Sequence, residues 1–277
     1  MRQVFVRNVP FAVAEAGAGE AVVLLHGFTG TSFDWQLLMQ KLSVHYHVIA
    51  PDLIGHGASA VPDDWRRYSQ EEALLDLKAL LSQRGVRKFH LLGYSMGGRL
   101  ALRFAVEHPE LLYSLILESA SPGLKLQKER EERQNSDNAL ADWLEREGIE
   151  AFVTRWTNLP LFASQAKLPL VTQQALRERR LKNAPQGLAN SLRGMGTGTQ
   201  PSLWPTLKAL RLPTLLVAGE LDQKFTCLAK AMAQELPQSS LSLVAQAGHT
   251  IHLEQPDIFC EIVTNFLTKH QFNKTAI

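Results

Sequence analysis

Gly93-Tyr94-Ser95-Met96-Gly97-Gly98 stands between an apolar run, Lys88-Phe89-His90-Leu91-Leu92-Gly93-Tyr94, and a helical pattern opening at Met96. The order strand, tight turn, helix is that of a nucleophile elbow, with Ser95 at its apex. Side chains at 93 or 97 would collide with neighbouring backbone in so sharp a turn, and Ser95 must accept strained angles. The helix starting after Ser95 directs free N–H groups and the positive end of its dipole at the space beside the hydroxyl.

Outward from the elbow, short apolar runs alternate with longer helical patterns. Runs 21–25, 47–51, 88–94, 112–118, 213–219 and 240–246 read as strands. Interleaved helices predict an α/β chain with a mainly parallel central sheet covered on both faces. One helix opens with a capping pair, Ser69 and Glu72, spaces Leu74, Leu77 and Leu81 along one face, and ends at Gly85; another starts at Pro256 and runs through Phe259, Ile262 and Phe266. Between 121 and 205 no strand pattern occurs. Arg, Glu and Trp recur there at helical spacing, as in an inserted helical cap, with 12 Lys or Arg against 9 Asp or Glu. Residues 1–277 read as one domain carrying this cap, and the tail 269–277 as frayed.

Composition removes several function classes. The 277 residues are 45% hydrophobic and 20% charged, the balance of a globular chain, and 29 basic against 27 acidic residues leave only +2. That field is too weak to argue for a nucleic-acid or membrane partner. Cys227 and Cys260, the only cysteines, lack the spacing of a redox or zinc site. The N-terminal stretch has no unbroken apolar segment of leader type. A cytoplasmic monomer is expected.

A serine hydroxyl needs an imidazole to take its proton and a carboxylate to orient that imidazole. Asp222 follows the strand at 213–219 and His249 follows the strand at 240–246, in the chain order Ser, acid, His. Strand C-terminal ends are where ligand sites gather in open α/β sheets, so the three can converge. Glu220 and His252 are the near alternatives. His26 and His56 read as turn-shaping residues, while the backbone N–H groups of Phe28 and Met96 would form an oxyanion hole.

In these features the chain resembles the α/β-hydrolase superfamily over nearly its whole length. Gly93–Arg99 (GYSMGGR), SPGL at 121–124 running into REER at 130–133, Trp156 with Pro160-Leu161-Phe162, and Gly196-Thr197-Gly198 resemble one branch more closely, the 2-succinyl-6-hydroxy-2,4-cyclohexadiene-1-carboxylate synthases of menaquinone biosynthesis. That resemblance implies a lyase that removes pyruvate from a cyclohexene polycarboxylate and needs no metal or cofactor. It implies guanidinium groups for the carboxylates, since arginine makes bidentate, permanently charged contacts. Arg99 and Arg133 match the pattern; Arg180 is chosen from the Arg177–Arg180 cluster, where the spacing departs from some family members. Tyr94 and Trp156 would pack against the substrate. Two rival readings stay open: a serine hydrolase of an ester or carbon-carbon bond in an acidic small molecule, and a ligand receptor reusing the fold.

Overall fold

The computed structural model describes residues 1–271, so most of the tail expected to fray lies outside the described residues. Eight strands form one sheet: β1 (Arg2–Val6), β2 (Val9–Ala16), β3 (Glu20–Leu25), β4 (Tyr46–Pro51), β5 (Phe89–Tyr94), β6 (Leu112–Glu118), β7 (Thr214–Gly219) and β8 (Ser239–Val244). Their order across the sheet is β1-β2-β4-β3-β5-β6-β7-β8. From β4 to β8 every pairing is parallel; β1 with β2 and β2 with β4 are antiparallel.

All six strands expected from the sequence are present. β1 and β2 are additions. They form a hairpin whose turn, Arg7-Asn8, has positive φ at both positions (49° and 66°). Such turns are signalled in sequence by Asn-Gly or Asp-Gly, and Arg-Asn carries neither.

The helices follow as α1 (Gln36–Leu42), α2 (Gln70–Gln83), α3 (Met96–Glu107), α4 (Gln127–Thr157), α5 (Leu170–Leu181), α6 (Pro185–Met195), α7 (Gln223–Glu235), α8 (Ile251–Glu254) and α9 (Pro256–Lys269). Ser69 caps α2 through its hydroxyl, which accepts the Glu72 N–H at 3.3 Å. Side chains of the central strands point alternately to the two faces. Val23, Leu91, Leu115, Leu117 and Leu216 pack with α2, α3 and α7 in one core. Their neighbours Val22, Leu92, Ile116, Leu215 and Val217 pack with α1 and α9 in the other. Both faces are therefore covered, which is why these strands read as continuous apolar runs.

Between Glu118 and Thr214 the chain leaves the sheet. Here α4 breaks at Gly148 (φ 82°) into two arms. Ala141, Leu144, Phe152 and Val153 of α4 bury themselves against Leu188, Ala189 and Leu192 of α6, a third small core. α6 is fastened to the body where Asn190 Nδ2 donates to the carbonyls of Pro62 and Asp63, both at 3.2 Å. This helical layer roofs the carboxyl ends of β5, β7 and β8.

Candidate active site

β5 delivers Ser95 into backbone angles of φ 49° and ψ −104°, outside ordinary L-residue territory. The glycines beside it permit this. A Cβ on Gly93 would strike the Gly97 carbonyl, and one on Gly97 would strike the carbonyls of Leu25 and His26. Met96 opens α3, so its N–H has no carbonyl one turn back and stays free to bind an anion. Phe28 stands on the loop after β3 and lines the same cavity as Ser95 and Met96.

His249, on the loop after β8, lies with Nε2 3.0 Å from Ser95 Oγ and Nδ1 2.7 Å from Asp222 Oδ2. The carboxylate accepts the Nδ1 proton, leaving Nε2 to accept from the serine. Asp222 is also the N-cap of α7, its Oδ1 accepting the Phe225 N–H at 3.2 Å, so the carboxylate cannot turn away. The imidazole is buried among aromatic rings, Phe225 at 4.5 Å, Tyr94 at 5.4 Å and Phe162 at 6.0 Å.

The alternatives fall elsewhere. His252 faces Glu118, at the end of β6, with Nδ1 at 2.9 and 2.8 Å from its two oxygens, and its backbone N–H donates to the same carboxylate at 3.0 Å. Burial pushes the His252 pKa down, but Glu118 outweighs it and the net shift is upward. Glu220 is exposed. His26 accepts the Leu53 N–H at Nε2 (2.9 Å) and donates from Nδ1 to the Gly27 carbonyl (2.8 Å), the loop-shaping role expected of it. His56 is buried beside it, its pKa lowered to about 3, chiefly by that burial.

A cavity of about 1160 Å³ opens above Ser95. Arg99, one turn along α3, lines it while almost wholly buried. Its guanidinium donates to the Met195 carbonyl at 2.9 Å, to the Gly196 carbonyl at 3.3 Å and to Gln200 Oε1 at 3.4 Å. Among the described residues no carboxylate pairs with it. Burial and then the nearby Arg133 lower its pKa to about 10, against the pull of Asp137. A buried cation costs several kcal/mol unless an anion joins it.

Arg133 also lines the cavity, half exposed and paired to Asp137 at 2.8 Å. Tyr94 and Trp156 are on its wall, although the Tyr94 hydroxyl is held by Thr250 Oγ1 at 2.8 Å. Arg180 departs from the sequence expectation: it is buried behind Phe162, 5.2 Å from that ring, and is not among the residues lining the cavity. The sequence reading missed Lys125, Lys167 and Lys224 on the cavity wall, because exposed lysines in loops and at helix ends carry no periodic signal. It also missed Glu254, whose carboxylate accepts the N–H groups of Gly248 and Thr250 on either side of His249, at 2.6 and 3.1 Å.

Among the described residues no helix is long and apolar enough to cross a membrane. The family model of the alpha/beta hydrolase fold matches residues 20–256. A Bacillus subtilis (strain 168) protein provisionally named 2-succinyl-6-hydroxy-2,4-cyclohexadiene-1-carboxylate synthase is 47% identical, over 94% of this chain and 96% of its own. The synthase of that name from Serratia proteamaculans (strain 568) is 33% identical, over 89% and 92%. The structure of MenH from S. aureus matches with a TM-score of 0.89 at 40% identity, covering 94% of this chain and 98% of that one. With a strained elbow serine, an oriented imidazole and a buried unpaired guanidinium around one cavity, these likenesses place the chain in the alpha/beta hydrolase fold family and, within it, among the 2-succinyl-6-hydroxy-2,4-cyclohexadiene-1-carboxylate synthases.

Proposed function

We propose that this chain is a carbon-oxygen lyase that eliminates pyruvate from 2-succinyl-5-enolpyruvyl-6-hydroxy-3-cyclohexene-1-carboxylate, giving 2-succinyl-6-hydroxy-2,4-cyclohexadiene-1-carboxylate, and that Ser95, His249 and Asp222 carry the proton. The observation that carries the reading is Arg99, a buried cation without a carboxylate partner among the described residues, on the wall of the cavity that holds Ser95. A generic ester substrate gives no reason to keep such a charge under a cap. A polycarboxylate does.

The ring proton next to the succinyl carbonyl is the acidic one. His249, oriented by Asp222, accepts the Ser95 proton, and the serine oxygen removes the ring proton. The released electron pair moves through the ring alkene and breaks the bond to the enolpyruvyl oxygen, so enolpyruvate departs, is protonated on carbon and becomes pyruvate. Charge growing on the succinyl carbonyl would be met by the N–H groups of Phe28 and Met96. Arg99 and Arg133 would hold carboxylates and so fix the proton over Ser95. Tyr94 and Trp156 would supply apolar walls. No acyl-enzyme forms and the chain's own groups suffice. A monomer working in the cytoplasm is part of the proposal; the free thiols of Cys227 and Cys260 accord with a reducing compartment.

Supplying the cyclohexene substrate and following pyruvate through a coupled dehydrogenase tests the reading. Stoichiometric pyruvate without a burst is expected. A burst with a trapped acyl-serine would replace the lyase by the hydrolase reading.

A further inference from the structure

Arg180 is a buried guanidinium whose two side-chain hydrogen-bond partners belong to the cap, and its position gives it a different task from Arg99. Nη1 donates to Thr157 Oγ1 at the end of α4 (3.1 Å) and Nη2 to Gln165 Oε1 (3.3 Å). Arginine only donates, so the Gln165 oxygen must face it and the Gln165 amide nitrogen must face the other way. That nitrogen donates to Thr250 Oγ1 at 3.0 Å, and Thr250 Oγ1 is hydrogen-bonded to the Tyr94 hydroxyl at 2.8 Å. Thr250 directly follows His249, and Tyr94 directly precedes Ser95. The chain Arg180, Gln165, Thr250, Tyr94 is buried throughout.

A second path leads the same way. The guanidinium lies over the Phe162 ring, and Phe162 meets the His249 ring edge-on at 6.0 Å between centroids. One cap residue thus braces the general base through a polar chain and through an aromatic contact. The carboxylates of Glu254 and Glu118 hold the backbone of this loop from the body side, at Gly248, Thr250 and His252, while the cap's polar chain reaches it at the Thr250 hydroxyl and its aromatic contact at the His249 ring.

We infer that Arg180 and Gln165 are positioning residues: by holding Thr250 and Tyr94 they set the register of His249 against Ser95, so that a seated cap and an aligned triad are one state. This rests on the reading of His249 as the base in pyruvate elimination. A misplacement of a base by less than an ångström lowers turnover without loosening substrate binding. A carboxylate ligand behaves in the opposite way.

The test uses the full chain and the pyruvate assay, with the thermal midpoint of every variant measured alongside. Thr250→Val and Gln165→Leu are each expected to lower kcat about tenfold with KM within about twofold of wild type, and Thr250→Ser to restore kcat. The double variant is expected to be no worse than the poorer single one, because both cut the same chain. Arg180→Gln is expected to follow the same pattern. If Gln165→Leu does not fold, Thr250→Val against Thr250→Ser decides alone, the two differing in a hydroxyl and a methyl. The inference is overturned if Thr250→Val keeps kcat within twofold, or if Arg180→Gln raises KM more than tenfold at unchanged kcat. His249→Ala separates the two levels: if it retains turnover the base assignment itself fails, whereas an inactive His249→Ala beside a fully active Thr250→Val sinks only the positioning role.

Discussion

Two places in this sheet bring a serine, a histidine and a carboxylate into one hydrogen-bonded line. At the carboxyl ends of the strands are Ser95, His249 and Asp222. Near the amino ends are Ser114 of β6, His90 of β5 and Glu20 of β3, with Ser114 Oγ 2.7 Å from His90 Nδ1 and Glu20 3.3 Å from His90 Nε2. The second trio has the same residue types and comparable distances, yet its imidazole is turned round, with Nδ1 rather than Nε2 towards the hydroxyl. His90 and Ser114 have no solvent exposure at all. Ser114 lies within a strand, pairing with His90 in parallel just after a shift of register, and no helix begins beside it. Burial lowers the His90 pKa, against the pull of Glu20, keeping the ring neutral. What separates chemistry from packing here is therefore the strained elbow, the helix N-terminus and the cavity above it.

The largest effect should come from breaking this contrast directly. Ser95→Ala, His249→Ala and Asp222→Asn should each lower kcat by on the order of 10³-fold or more, and combining them should add little, since they act as one unit. Ser114→Ala should leave pyruvate release within about twofold and show its cost only in the thermal midpoint. Comparable losses of kcat at Ser95 and Ser114, in folded enzymes, would end the distinction.

Arg99 sharpens it next. Losing a charge-assisted hydrogen bond costs ~1.5 to 3 kcal/mol, so kcat/KM for Arg99→Ala should fall roughly 10- to 150-fold. Arg99→Lys should recover only part, because an ammonium cannot reproduce the two-pronged contact. A steady-state value for Arg99→Ala within twofold of wild type would leave the guanidinium a purely structural donor to Met195 and Gly196.

Acid should expose the silent imidazoles. His56, with a folded pKa lowered from 6.5 to about 3, binds its proton more readily when unfolded. Its stabilising contribution is thus complete above about pH 6.5 and is lost as pH falls towards 3, the loss reaching about 2 kcal/mol at pH 5. His90 acts in the same direction. His252, shifted upward beside Glu118, has the opposite sign: its contribution is complete below about 6.5 and lost as pH rises through the folded value. Denaturant midpoints at pH 5 and 7 should therefore diverge less in His56→Asn than in wild type.

The smallest effect belongs to the rim. Lys224 is exposed on the cavity wall. Lys224→Ala should raise KM about two- to threefold at low salt, and 0.5 M salt should erase the difference. A salt-independent rise would mean a direct contact instead of a long-range field.

The six strands β3 to β8, the elbow, the acid after β7 and the histidine after β8 were legible in the amino-acid sequence. Strands covered on both faces must be continuous apolar runs, and a strand-to-helix turn that admits no Cβ must be written in glycine. Those demands are local, so single residues reveal them. The N-terminal hairpin escaped because its turn, Arg7-Asn8, has no glycine and sets Arg at the first positive-φ position, so it lacks the Asn-Gly or Asp-Gly pair that marks such turns. Arg99 already stood apart in the sequence, one turn after Ser95 on the elbow helix, whereas Arg180 was one choice from the cluster at 177–180. Only the packed structure set Arg180 against Phe162 and Gln165, because which face of a cap helix meets the cavity depends on how α4, α5 and α6 close over one another. The same holds for Glu254 and Glu118, whose grip on the His249 loop joins residues that no local pattern relates. Sequence by itself determined the six strands β3 to β8, the elbow and the chain order of Ser95, Asp222 and His249; tertiary structure decided which charges face the cavity, since a buried cation is tolerated only where the surrounding fold supplies its partners.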